Sequence, residues 1–170
     1  MPTIFVVGHS TRTIESFIDL LKAHSIDLLV DIRTIPRSRH NPQFNEDSLE
    51  KKLNDNKIKY LHMKDLGGLR HSDKDSVNLG WRNLSFRGFA DYMKTKEFNS
   101  SIKELIAISK KHTVAIMCAE GNPFRCHRSL VADALLVRHI KTLHISSKIS
   151  AREHVLTPFA KVKGHSITYP

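Results

Sequence analysis

At 170 residues the chain has the length of one ordinary domain, and folding it buries about 70% of the surface the unfolded form exposes, so no staple is required. With 40% hydrophobic and 26% charged residues it is neither disordered, nor collagen-like, nor membrane-embedded. The 27 Lys and Arg against 17 Asp and Glu leave a net charge of +10, a field that attracts nucleic acid and acidic small ligands without selecting among them. Two cysteines cannot build the disulfide framework of a small secreted domain. A reducing, cytoplasmic setting is therefore expected, with thiols free to react.

The first element is a β-branched run, Thr3 to Val7, that ends at Gly8. It has no basic region before it and stops far short of the ~20 apolar residues that span a bilayer, so it reads as a buried strand. A helix follows, with Thr13 as N-cap, Glu15 in the first turn and Ile14, Phe17, Ile18 and Leu21 on one face. Leu28 to Ile32 is a second apolar strand, in which Asp31 is out of place. Beyond Pro36 come the basic stretch Arg37-Ser38-Arg39-His40, a short helix from about Asn45 with Leu49 and Leu53 four apart, and a strand from Ile58 to Leu61. The polar, Gly-bearing stretch from Asp65 to about Ser85 is long enough to be a functional loop or lid.

Two helices are expected next, one carrying Phe86, Phe89, Ala90 and Met93, the other Ile102, Leu105 and Ile106, with a break near Asn99. Thr113 to Met117 is the most strand-like run and ends at Cys118. A helix from about Cys126 to Arg138 and a strand from Lys141 to Ile145 complete the assignable elements. Strands alternating with amphipathic helices predict an α/β fold, a mostly parallel sheet flanked by helices in three layers, as a single domain over residues 1–170.

Ligands of such sheets bind outside the carboxyl ends of the strands. The turns there hold His9 and Ser10 after the first strand and Asp31 and Arg33 at the second. The most informative turn runs from Cys118 through Glu120 to Cys126-His127-Arg128. A cysteine between a strand and a helix start lies near unpaired backbone N–H groups and the positive end of a helix dipole, conditions that favour the thiolate. Arg125, His127 and Arg128 add positive charge and could hold an anion. The order strand, Cys, loop, Arg, helix is shared with cysteine phosphatases and rhodaneses. Those loops place Arg six positions after Cys, where this chain has Phe124, with Arg125 one later. Arg70, with Arg37, Arg39, Trp81, Arg82 and Arg87, sets cations beside an aromatic ring, as phosphate contacts and base stacking use them.

Each residue also has a purely structural reading. Cys118 could close a buried strand as a small apolar side chain, His9 could cap the following helix, and Asp31 with Arg33 could be an ion pair of the fold. Cys126 could be the reactive thiol or a resolving thiol for Cys118. There is no Walker loop, G-x-G-x-x-G, zinc finger or helix-turn-helix, and no cofactor is implied.

The motifs Val7-Gly8-His9-Ser10, Val30-Asp31-Ile32-Arg33 with Pro36-Arg37-Ser38-Arg39, Leu66-Gly67-Gly68, Cys118-Ala119-Glu120 and Cys126-His127-Arg128 together resemble the family catalogued as domain of unknown function 488. The resemblance implies a compact α/β domain with a pocket built from these motifs, in a family whose members are sometimes labelled DNA-repair-related. The Phe124-Arg125 stretch departs from the family pattern.

Three functions follow as expectations. The leading one is a cysteine-dependent enzyme for an anionic, phosphorylated or nucleotide-like ligand. Here Cys118 or Cys126 is the nucleophile, His127 or His9 moves protons, Glu120 or Asp31 orients a partner, and Arg33, Arg128, Arg70 and Ser10 line the ligand site. The second is a non-catalytic nucleic-acid-associated module in which the arginines contact phosphates. The third is a metal-dependent hydrolase using His9, His127 and Asp31. No membrane partner is expected.

Overall fold

A computed structural model describes residues 2–122 and 126–170 of the chain. Among these, six strands form one sheet in the order β3-β2-β4-β1-β5-β6, with β1 at Thr3–Gly8, β2 at Leu28–Asp31, β3 at Lys59–His62, β4 at Val114–Cys118, β5 at Lys141–Ser147 and β6 at Ser150–Glu153. The first five run parallel, and β6 turns back antiparallel to β5. The expected α/β architecture is thus present, with one added antiparallel edge strand. A separate hairpin, β7 (Lys161–Lys163) with β8 (Ser166–Thr168), follows. No described helix is long and apolar enough to cross a membrane.

Because strand side chains alternate in direction, the sheet has two apolar faces. Phe17, Leu21, Leu49 and Leu53 of α1 (Ile14–Ala23) and α2 (Glu46–Asp55) pack on Val7, Leu29, Ala115 and Met117. Phe89, Ile102, Leu105, Leu130 and Leu135 of α3 (Leu84–Tyr92), α4 (Lys96–Ser109) and α5 (Arg128–Leu136) pack on Ile4, Val6, Val30, Val114, Ile116 and Cys118. The β1 and β2 connections therefore leave on one face, and those after β3 and β4 on the other. The end of β4, lying between β1 and β2, is where the winding changes sides, the place where a doubly wound sheet opens a crevice.

Local signals account for most boundaries. Thr13 caps α1 by accepting from the Ser16 N–H at 3.1 Å. The break between the two helices of the second face falls at Thr95, not near Asn99, because the Thr95 hydroxyl accepts from the Phe98 N–H and starts α4. Cys126 and His127 precede α5 rather than opening it. The long loop has little regular structure, but it is tied down. The Asp91 carboxylate accepts from Ser76 Oγ at 2.6 Å and Asn78 Nδ2 at 2.7 Å, and Asn78 Oδ1 accepts from the Tyr169 N–H at 2.8 Å.

The C-terminal segment, unassigned from sequence, is held by a buried carboxylate. Asp133 of α5 accepts from the Tyr169 hydroxyl at 2.8 Å and the Thr157 hydroxyl at 2.7 Å, and the Tyr169 ring is fully buried against Trp81 and Phe159. Tyr169→Phe leaves an acceptor of Asp133 without that donor. It should lower stability by about 1–3 kcal/mol in urea unfolding, whereas an unchanged midpoint would show that the segment is not anchored through this bond.

Candidate functional site

Three strand ends meet at the crevice. The His9 N–H donates to the Cys118 carbonyl and the Ser10 N–H to the Ala119 carbonyl, both at 2.9 Å, while the Ile32 N–H donates to the Met117 carbonyl at 3.0 Å. These bonds carry the parallel ladders past the sheet edge and fix the loop after Cys118 against its neighbours. A cavity of about 340 Å³ opens there, lined by both cysteines, His127 and Glu120, by Arg33 and Arg37, and by Ile35, Leu69 and Phe86. A larger open depression of about 590 Å³ around Pro2, Asp27 and His112 lies at the opposite ends of the strands and has no cysteine.

Cys118 and Cys126 are both buried and meet as a disulfide, with their Cα atoms 7.4 Å apart. This differs from the expectation of two free thiols: the sulfurs, eight positions apart in sequence, meet at one spot. Arg128, 2% exposed, reaches from the first turn of α5 beneath this loop. Its Nη1 donates to Cys118 Sγ at 3.2 Å and to the Glu120 carbonyl, and its Nη2 to the Gly121 carbonyl at 2.8 Å. Burial lowers the Arg128 pKa to about 10, so the guanidinium stays charged at neutral pH. Gly8 makes room for it, because a Cβ there would overlap both the Glu120 carbonyl and the guanidinium.

His127 is fixed as a neutral ring. Its Nε2 lies 3.0 Å from the Ile32 carbonyl and 2.9 Å from the Leu66 carbonyl. Carbonyls only accept, so Nε2 carries the hydrogen and Nδ1 is bare, 3.5 Å from Cys126 Sγ. Burial brings its pKa from 6.5 to about 4, with the charges of Arg128 and Arg70 adding to the effect. Gly68 packs on the ring, where a Cβ would come within 2.6 Å of Nδ1.

The other expected residues lie across the sheet. The ladder parity that turns Cys118 toward α5 turns Asp31 toward α1 and α2. Asp31 is fully buried and holds Arg33 through two oxygens, accepting from Nε at 2.9 Å and Nη2 at 2.7 Å, with the Tyr60 hydroxyl donating at 2.6 Å. Arg33 Nη2 also donates to the Phe44 carbonyl. Its Nη1 is buried without a partner among the described residues, and Arg33 also lines the thiol cavity.

His9 does not cap α1. It stacks on Phe44 at 4.2 Å and uses Nδ1 on the Ser10 carbonyl, while Nε2 is buried without a partner among the described residues. Burial lowers its pKa to about 4, and the Arg33 charge contributes. His9 is not among the residues lining the thiol cavity.

The expected set therefore falls into two groups that meet at Arg33. Cys118, Cys126, His127 and Glu120 line the cavity, with Arg128 bonded to Cys118 Sγ, and Asp31 and His9 are not among the lining residues. Ser10, with φ of 52°, sits beside Gly121 and does not line the cavity. Arg70 stands outside the cavity, its guanidinium 3.6 Å over the Tyr92 ring and its Nε donating to the Gly67 carbonyl. The Glu120 side chain accepts from the Asn122 N–H at 3.3 Å, while its backbone carbonyl serves Arg128. Phe124 and Arg125 lie outside the described residues. Among the described residues no three His, Cys, Asp or Glu side chains converge to hold a metal ion, and His9, His127 and Asp31 do not form such a group. The sequence does not single out Tyr60 or Phe44, and it marks Gly8 only as the end of the first strand, not as the space for Arg128. Their roles depend on strand register and on a loop crossing over the sheet edge, neither of which leaves a local signal.

A protein-family model described as "Domain of unknown function DUF488" matches residues 13–135, more than half of the chain. The chain belongs to that family. The matched span holds Asp31, Arg33, Gly68 and the whole thiol loop, and leaves out β1 with His9 and the strands from β5 onward. No curated protein and no solved structure matches the chain.

The buried histidines make stability depend on pH. His9, His127 and also His144 of β5 each have pKa lowered from 6.5 to about 4. Between these values the unfolded chain binds protons that the folded protein refuses. The stability these histidines contribute is thus complete above pH 6.5 and is lost as pH falls toward 4, with a slope of up to about 1.4 kcal/mol per pH unit for each histidine. His9→Phe, which keeps a ring on Phe44, should flatten that slope by about a third in urea titrations at pH 7, 6 and 5. An unaltered slope would mean that His9 titrates normally.

Proposed function

We propose that the protein is a cysteine-dependent enzyme acting on an anionic, phosphorylated or nucleotide-like ligand in a reducing compartment such as the cytoplasm, with Cys118 as nucleophile and Cys126 as its resolving thiol. The observation that carries this reading is the buried Arg128 guanidinium 3.2 Å from Cys118 Sγ, at a cavity that both cysteines line. Once an external dithiol has reduced the pair, a fixed positive charge beside Cys118 favours its thiolate, the form that attacks.

In the reaction the Cys118 thiolate forms a bond to the electrophilic atom of the ligand, and the leaving group departs with the bonding pair. Water then cleaves the thio-adduct, its hydroxyl going to the ligand and its remaining proton to the departed leaving group, and the thiolate returns. The Arg33 Nη1, without a partner among the described residues, is suited to hold negative charge on the ligand, and the apolar wall of Ile35, Leu69 and Phe86 suits a flat or apolar portion of it. The bare Nδ1 of His127 can accept the Cys126 proton. If a peroxide oxidises Cys118 to the sulfenic acid, the Cys126 thiolate attacks that sulfur, water leaves, and the disulfide forms. A nucleic-acid module would rest on the exposed Arg37, Arg39 and Arg82, because Arg33 and Arg128 spend most of their donors on internal acceptors.

The test is thiol labelling of the reduced, folded protein at neutral pH. Iodoacetamide should modify Cys118 at least about tenfold faster than Cys126, phosphate should slow it, and Arg128→Lys, which keeps the charge but loses the forked geometry, should slow it too. Equal and slow labelling of both cysteines, untouched by phosphate, would end this reading.

A further inference from the structure

His144 of β5 pairs in register with Val6 of β1, so it faces the α5 side of the sheet, the side of Cys118 and Arg128. It begins a chain of short contacts: His144 Nε2 is 2.8 Å from His154 Nδ1, and His154 Nε2 is 2.7 Å from Asp133 Oδ1. Asp133 is fully buried and already accepts from Tyr169 and from the Thr157 hydroxyl and N–H.

The tautomers follow from chemistry. A carboxylate oxygen surrounded by donors accepts, so His154 Nε2 donates and its Nδ1 is bare. That bare nitrogen needs a donor, which His144 Nε2 supplies. His144 Nδ1 is consequently a bare acceptor, and it is buried without a partner among the described residues. The complementary vacancy belongs to Arg128, whose Nε–H can only donate and is likewise buried without a partner among the described residues. His144 stands beside Val6, two residues before the Gly8 that the Arg128 guanidinium packs against, and the Arg128 charge acts on its ring.

We propose that His144 is a positioning residue for Arg128: its bare Nδ1, locked in that tautomer by Asp133 through His154, accepts from the Arg128 Nε–H across one water and so keeps Nη1 on Cys118 Sγ. This rests on the reading that Cys118 is the reactive thiol. The guanidinium is then held along both edges, one by the Glu120 and Gly121 carbonyls and the other by His144, and the C-terminal segment reaches the thiol through Asp133.

The experiment follows the pH dependence of Cys118 alkylation in full-length, reduced Cys126→Ser protein, with and without a change at His144. The parent should alkylate with a midpoint below the ~8.5 of a free thiol. His144→Phe, which has no acceptor, should move that midpoint upward by about one pH unit and cut the rate at pH 7 about tenfold. His144→Gln, which can offer an amide oxygen, should recover part of the loss. An unmoved midpoint in folded His144→Phe overturns the positioning role while leaving the thiol reading intact, whereas a parent midpoint at the free-thiol value overturns the thiol reading and this role with it. A second measurement needs no variant. Nitrogen NMR of the histidine rings at pH 7 should show His144 neutral with hydrogen on Nε2, and hydrogen on Nδ1 would overturn the proposal.

Discussion

A guanidinium removed from water must be given acceptors, and the buried position of Arg128 organises the region around it. It takes the Glu120 and Gly121 carbonyls, so the loop after β4 has to curl back over it. It crosses the face of β1 where any side chain would collide, which demands glycine at position 8. It touches Cys118 Sγ, so the charge ends at the sulfur. Removing the guanidinium would leave two loop carbonyls and a strand end without the group that joins them.

The second constraint is the alternation of the strands. Position 118 shares its face with 114 and 116, and position 31 shares the opposite face with 29. A cysteine and an aspartate that end neighbouring strands thus point to different sides of one sheet. Arg33 spans the difference by pairing with Asp31 while lining the thiol cavity. The Asp31 carboxylate, out of place in an apolar run, is accounted for by Arg33 and Tyr60. The winding of the chain adds the crevice, because β4 lies between two strands whose helices go to the other face.

The C-terminal segment extends this arrangement away from the cavity. Asp133 sits one turn beyond the helix start that holds Arg128, and its carboxylate gathers His154, Thr157 and Tyr169. The same helix therefore presents a cation to the thiol and an anion to the chain end. With Tyr169 packed on Trp81 and Asn78 bonded to the Tyr169 backbone, the long loop and the chain terminus support each other.

The order of elements was legible in the sequence because it rests on local physics. Apolar runs such as Val114 to Met117 and the spacing of Phe17, Ile18 and Leu21 select strand and helix by periodicity alone, and Thr13 announces its helix by a side-chain cap. The strand ends carrying His9, Arg33 and Cys118 were legible for the same reason, since parallel strands place their carboxyl ends at one edge. The division of that edge into two faces, the meeting of Cys118 with Cys126, the bond from Arg128 to a sulfur ten positions away, and the His144-His154-Asp133 chain were decided only by tertiary structure. They depend on register between strands distant in sequence and on loops closing over them, and a one-residue change of register would turn each of these side chains to the other side.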